Sequence, residues 1–280
     1  MVMKLDLPGC DNAQFISDVV AERQGGRNKV FFNEIKAEWI QRVDEYVDCR
    51  ASPMTVQKWN EIEEKKGTIL NLYLSPAEGS TQGAVISELR DGHGLAVCPS
   101  CGELGRPNTL DHYLPKDGYP HLCILPANLT PMCDACQEEK GAKVGDGSAT
   151  RYFIHPYFDD FVSQRVLALE IHPPFDVPTF NFGPAPGLSV VKQSLLLTHI
   201  RELDLVNRFG KFFKHEYFRL LRLVEQIRES DQDVSQALEI FRFNASLVSQ
   251  NTWQHVFYSG VLDNPDLIEY LTNMTLRPRR

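Results

Sequence analysis

The sequence predicts an α+β chain, mostly α-helical, with a small irregular module at its centre. Three observations predict it. Apolar residues recur at helical spacing before residue 92 and after residue 188. Between residues 95 and 150 that period is lost, and Gly, Pro, Asn, Asp and Cys crowd together. Within that stretch stand two Cys-x-x-Cys pairs, Cys98 with Cys101 and Cys133 with Cys136.

These changes of pattern divide the chain into an N-terminal helical region, 1–92, a central module, 93–160, and an extended connection leading to a C-terminal helical region, 161–280. In the first region, "FFNEIKAEWIQRVDEYV" (31–47) sets Phe32, Ile35, Trp39, Ile40 and Val43 at three- and four-residue steps, an amphipathic helix. A second helix is expected within 75–94, ending near Gly92 and Gly94. In the centre, "LAV", "TLDHYL" and "CILP" predict brief strands between turns. After Asn128, "LTPMCDACQEEKGAK" predicts a turn running into a short helix capped by Gly141. Residues 151–187, rich in Pro and Phe, predict strands and extended connections whose aromatic residues pack against the central module. From 188 onward the helical pattern returns, with stops near Ser230 and Asp231, Gln250 and Asn251, and Asn264 and Pro265.

With 280 residues, 42% of them hydrophobic and 24% charged, the chain is long and apolar enough to build a packed core, which excludes wholesale disorder. No apolar run approaches the ~18 residues of a membrane helix. The start, "MVMKLDLPGC", lacks the basic and apolar regions of a secretory signal. The expectation is a cytoplasmic protein with no membrane partner. The net charge of −8 argues against a stand-alone nucleic-acid binder, which draws most of its affinity from neutralising phosphates.

In a reducing compartment, paired Cys-x-x-Cys turns read as metal ligands before disulfides. Each turn supplies two thiolates at the right bite, and two turns complete the tetrahedron that zinc prefers. Here 31 residues separate Cys101 from Cys133, room for a hairpin between the clamps. A redox Cys-x-x-Cys would not explain the second pair. A zinc held by four cysteines is closed and therefore structural. Cys10, Cys49 and Cys123 remain over, and read as small hydrophobic residues.

Between the clamps, Asp111 and His112 are adjacent in a stretch broken by Pro and Gly. Neighbours on a strand point to opposite faces, so one apolar layer does not bury both. They can serve a metal and a water on two sides of one phosphate. A hard cation such as Mg²⁺ takes oxygen ligands, which the Asp111 carboxylate and the Gln137 amide offer. A neutral imidazole can accept a proton from water near pH 7. His121 and His155 each lie beside Pro and aromatic residues, a setting that suits packing with one hydrogen bond.

The run "CPSC … LDHYLP … ANLTPMCDACQEEKG" resembles the HNH nuclease family, whose ββα-metal motif orders Cys-x-x-Cys, Asp-His, Asn, and Cys-x-x-Cys-Asn/His followed by Lys. "LDHYLPKDGYPHL…NLTPMC" followed by "HPYFDDF" is similar to a bacterial subgroup, some of it associated with ATPases in antiphage defence of the Septu type. The resemblance covers about residues 95–160. It implies a central zinc-stapled ββα-metal module and a metal-dependent endonuclease acting on DNA, with Mg²⁺ or Mn²⁺ as the catalytic cation and an ATPase subunit as protein partner. His112 matches the general base and Asp111 the first metal ligand. Asn128 matches the Asn that braces the loop and orients the base. Cys98, Cys101, Cys133 and Cys136 match the structural zinc ligands. Gln137 stands where the family has Asn or His as second metal ligand, and is one methylene longer than Asn. A zinc-stabilised binding module without catalysis is the alternative, and the Asp111–His112 pair separates the two, since binding alone does not require it.

Residues 98–143 hold four Lys and Arg against six Asp and Glu, so the module itself is not basic. Lys140 reads either as a phosphate contact or as a solvated helix residue. On a continuous helix, Arg201, Arg208, Lys211, His215, Arg219 and Arg222 share an arc opposite Phe209, Phe212, Phe213, Leu220, Val224 and Ile227. That arc reads as a nucleic-acid contact or as the solvated face of an amphipathic helix, and Gly210 threatens its continuity. The basic end "RPRR" (277–280) is a weaker candidate.

Overall fold

A computed structural model describes residues 3–147 and 151–275. The fold is α+β, with ten α-helices and two separate two-stranded antiparallel sheets among these residues. "RPRR" lies outside the described residues.

Packing divides the chain into two compact units. The first, here the N-terminal unit, joins Lys4–Pro99 with Gly105–Asp160; the second, the C-terminal unit, joins Met1–Met3, Ser100–Leu104 and Phe161–Arg280. The expected cut at 92/93 is therefore not a packing boundary. The N-terminal helices and the central hairpin bury one common core.

In the N-terminal unit, α1 (Asn12–Ala21), α2 (Lys29–Asp48), α3 (Lys66–Leu74) and α4 (Thr81–Ser87) precede the hairpin of β1 (Thr109–His112) and β2 (Leu129–Met132), and α5 (Asp134–Lys140) follows it. Asp11 and Ser80 accept from the backbone N–H three residues on and so start α1 and α4. The expected stripe on α2 buries Phe32, Trp39 and Val43, and Tyr46 extends it. Ile35 and Ile40 are only partly covered. Trp39 is sealed by donating its indole N–H to the His121 carbonyl at 2.7 Å. Of the three predicted strands, only "TLDH" forms one. "CILP" lies between two 3-10 turns, Pro120–Leu122 and Pro126–Asn128, and "LAV" forms no strand. Both proline-started turns tighten a fully buried stretch. Gly141 ends α5 at φ +50°, in the left-handed region that favours glycine, and its N–H meets the Gln137 carbonyl at 2.9 Å.

In the C-terminal unit, β3 (Leu167–His172) pairs with β4 (Thr179–Pro184), and five helices follow: α6 (Val190–Glu202), α7 (Leu205–Glu229), α8 (Val234–Ser246), α9 (Trp253–Leu262) and α10 (Pro265–Asn273). The predicted stops agree with the end of α7 and with the start of α10, where Asn264 accepts from Leu267 N–H and Pro265 opens the helix, whereas α8 ends at Ser246, four residues before the stop expected near Gln250. Phe209, Phe213, Tyr217, Leu220, Val224 and Ile227 form the buried stripe of α7. Gly210 does not break α7, and a side chain there would meet the Phe180 ring at 3.3 Å. Gly260 lets α9 approach β3 so closely that a Cβ would lie 2.6 Å from the Leu169 carbonyl oxygen. The aromatic residues of 151–187 do not all pack on the central module as expected. Phe153, Tyr157 and Phe158 belong to the N-terminal unit, whereas Phe180 and Phe182 pack on Phe213 and Phe209 at 4.5 and 4.3 Å between ring centres.

Candidate active site and metal centre

The sulfur atoms of Cys98, Cys101, Cys133 and Cys136 all lie within 4.8 Å of one another. A tetrahedral zinc with ~2.3 Å bonds holds its thiolates about 3.8 Å apart, so the four fit such an ion, and soft thiolates suit zinc. The backbone N–H of Cys133 points at Cys98 Sγ at 3.4 Å. Arg208 Nη2 lies 3.6 Å from Cys101 Sγ and 2.7 Å from the Glu103 carboxylate. A positive group beside a thiolate stabilises its charged form. The turn after Cys98 is held through its carbonyls: His199 Nε2 donates to Ser100 O at 2.8 Å and Trp253 Nε1 to Cys101 O at 2.6 Å.

β1 carries Asp111 and His112 opposite Thr130 and Leu129 of β2. Pro131 is tolerated in β2 because each strand of a two-stranded sheet keeps one unpaired edge. The next element, α5, lays Gln137 and Lys140, one turn apart, along β1. Gln137 Nε2 reaches the Leu110 carbonyl at 3.5 Å. Lys140 Nζ donates to the His112 carbonyl at 2.8 Å and lies 2.9 Å from Asp111 Oδ2. That second contact is ionic in character, without the direction of a good hydrogen bond to Oδ2. Asp111 and Lys140 are 5% and 1% exposed. Burial pushes the Asp111 carboxyl up, and the charges of Lys140 and Lys116 pull it back.

His112 is also buried, with its ring edge-on to Tyr73 at 4.4 Å between centroids. Its Nε2 meets the Cys123 carbonyl at 2.9 Å. A carbonyl only accepts, so Nε2 carries the proton and Nδ1 holds the lone pair. Burial, reinforced by Lys116 and Lys140, lowers its pKa to about 4 against the opposing pull of the Cys123 carbonyl. The imidazole is therefore neutral at pH 7.

Asn128 ends the loop that carries Cys123. Its Oδ1 accepts from Leu114 N–H at 2.8 Å, and its Nδ2 donates to the carbonyls of Leu114 and Leu122, both at 3.1 Å. This amide cross-braces residues 114–128. Asp111, His112, Asn128 and Gln137 are thus brought onto one strand–loop–strand–helix unit, with carboxylate and amide oxygens of the kind a hard cation takes.

The expected phosphate contacts fare differently. Lys140 is neither a surface contact nor a solvated residue: the buried Asp111 carboxylate and the Phe153 ring, 5.7 Å away, draw it inside. Arg208 is turned to Glu103 and Cys101. The helix is not continuous from Arg201, because Asp204, at φ +50°, separates α6 from α7. Lys211, Arg219 and Arg222 are exposed; Arg219 pairs with Glu216 at 3.1 Å and Arg222 lies 4.5 Å over Phe218. Sequence reasoning missed Tyr46, whose hydroxyl reaches Asn128 Oδ1 at 2.9 Å; its place on the buried stripe of α2 was the available signal.

No helix among the described residues is long and apolar enough to cross a membrane. No family model matches the sequence, and no solved structure matches the chain. The chain is similar to Protein ea31 of Escherichia phage lambda, 26% identical over 184 residues, which cover 60% of this chain and 62% of that protein. The chain thus spans less than two thirds of the length of the curated relative it matches.

Proposed function

We propose that the chain is a metal-dependent endonuclease of the HNH type that hydrolyses DNA phosphodiester bonds. The observation that carries this reading is the tie from His112 Nε2 to the Cys123 carbonyl, which leaves Nδ1 as a proton acceptor on the strand that also bears Asp111. In this reading Nδ1 takes the proton of a water that attacks phosphorus in line with the leaving 3′ oxygen. The oxygens of Asp111 and Gln137 would hold Mg²⁺ or Mn²⁺, whose charge offsets that gathering on the phosphate and the leaving oxygen. Lys140 holds Oδ2 of Asp111 and leaves Oδ1 for that role. Zinc on the four cysteines ties the hairpin to the start of α5 and takes no part in the chemistry.

With a net charge of −8, the chain draws DNA affinity from a partner as well as from exposed residues such as Lys211, Arg219 and Arg222. The family resemblance suggests an ATPase subunit and a defence role for it. A second reading, a zinc-stabilised binding module without catalysis, is favoured by one observation: the Lys140 ammonium already neutralises the Asp111 carboxylate. Plasmid nicking in Mg²⁺ or Mn²⁺ decides between them. The nuclease reading expects cleavage that falls about 10²–10⁴-fold in His112→Ala, the usual share of a general base. Equal cleavage by both proteins, or none by either in complex with its copurifying partner, favours the second.

A further inference from the structure

The buried amide of Asn128 is the end of a longer polar chain that begins outside the hairpin. Asp159 accepts from the backbone N–H of His155 at 2.7 Å and pairs with Arg151, which sets the turn at 151–159. His155 Nδ1 accepts from Tyr157 N–H at 3.2 Å, so its proton is on Nε2. Nε2 lies 3.2 Å from the Tyr46 hydroxyl, which it meets as donor. The hydroxyl then gives its own proton to Asn128 Oδ1 at 2.9 Å. Each link has one direction, and the direction fixes the amide: oxygen toward Tyr46 and Leu114 N–H, nitrogen toward two carbonyls. The second of those carbonyls is Leu122, next in sequence to the Cys123 carbonyl that holds His112. His155 and Asn128 are both fully buried, so water does not substitute for a lost link.

We infer that Tyr46 and His155 are positioning residues of the hydrolytic site, holding through Asn128 the loop carbonyl that keeps His112 protonated on Nε2 and open at Nδ1. Neither touches the reacting atoms. The inference rests on the nuclease reading for its effect on turnover, and on geometry alone for its effect on the imidazole. It also assigns work to α2, which lies outside the family resemblance, and to the 151–159 turn.

The test uses the full chain and two readouts. Nitrogen-15 NMR of the imidazoles reports the tautomer of His112, and plasmid cleavage in Mn²⁺ reports turnover. Tyr46→Phe keeps the ring and removes only the hydroxyl; His155→Leu removes the first donor; His155→Gln restores one. In Tyr46→Phe and His155→Leu, His112 is expected to become a mixture of tautomers. Turnover should fall about 10- to 100-fold, with KM within about twofold and His155→Gln within about threefold of the unsubstituted protein. A single Nε2–H tautomer and full turnover in Tyr46→Phe, with unchanged zinc content, overturn the inference. Absence of cleavage by the unsubstituted protein in complex with its copurifying partner counts against the nuclease reading alone, and the tautomer still decides whether the chain positions His112.

Discussion

The two units bury charged groups in different ways. In the N-terminal unit the interior holds Asp111, His112, His121, Asn128, Lys140 and His155 among its apolar side chains. The C-terminal unit buries His199, Glu216 and His255 too, but its largest fully buried side chains are aromatic, namely Trp253, Phe209, Phe213 and Phe257, and the cation that pairs with its buried Glu216 carboxylate, Arg219, stays exposed, as do Lys211 and Arg222. An aromatic core stabilises by area and shape, and many sequences supply it. A buried ion pair or imidazole gives up hydration and returns little net stability. What sets the N-terminal unit apart is that it buries both members of an ion pair, Asp111 and Lys140, in directed contacts.

The largest expected effect tests what holds the N-terminal hairpin. Purified protein is expected to carry about one equivalent of zinc, and Cys133→Ser to lose it together with cooperative unfolding, because binding a structural zinc is part of the folding free energy. Elemental analysis and thermal melts measure both. An unchanged melt would remove the metal from the account.

Next in size is the contrast between a buried and an exposed ion pair. Lys140→Met leaves the Asp111 carboxylate buried and uncompensated, and is expected to destabilise by about 3–5 kcal/mol in chemical denaturation. Arg242→Met removes the partner of Glu239 from a pair whose side chains are 35% and 49% exposed, and is expected to cost under about 1 kcal/mol. Equal effects would erase the distinction between the units.

The most gradual effect is in pH. Burial lowers the pKa of His112 to about 4 and of His121 to about 3, and holds His155 well below its ordinary value. An unfolded imidazole takes its proton near 6.5. Below that pH the unfolded chain binds protons that the folded chain refuses, so stability is complete above about 6.5 and declines as pH falls toward the folded values. The slope is about 1.4 kcal/mol per pH unit for each such imidazole once its unfolded form is protonated. Denaturant titrations at pH 7, 6 and 5 measure it, and His121→Phe is expected to reduce it.

Legibility followed the range of the interactions. The strand at "TLDH", the short helix after the second cysteine pair and its Gly141 cap could be read directly, since each depends on residues a few positions apart. The clustering of four cysteines was readable for the same reason, two local turns of known bite. Tyr46 was not readable as a partner of Asn128, because 82 residues separate them and only packing brings α2 to the loop. The arc on α7 was read with the right buried face, yet Arg208 on its edge turns to a carboxylate 105 residues away.

By itself the sequence determined the α+β class, the ligand set for a metal and the adjacency of Asp111 to His112, all of them consequences of short-range spacing and backbone period. Only the tertiary structure decided that Lys140 faces the carboxylate instead of solvent, that His112 is neutral with its proton on Nε2, and that the N-terminal helices share a core with the hairpin. The reason is that protonation and pairing depend on burial, and burial is set by which distant segments pack around a group.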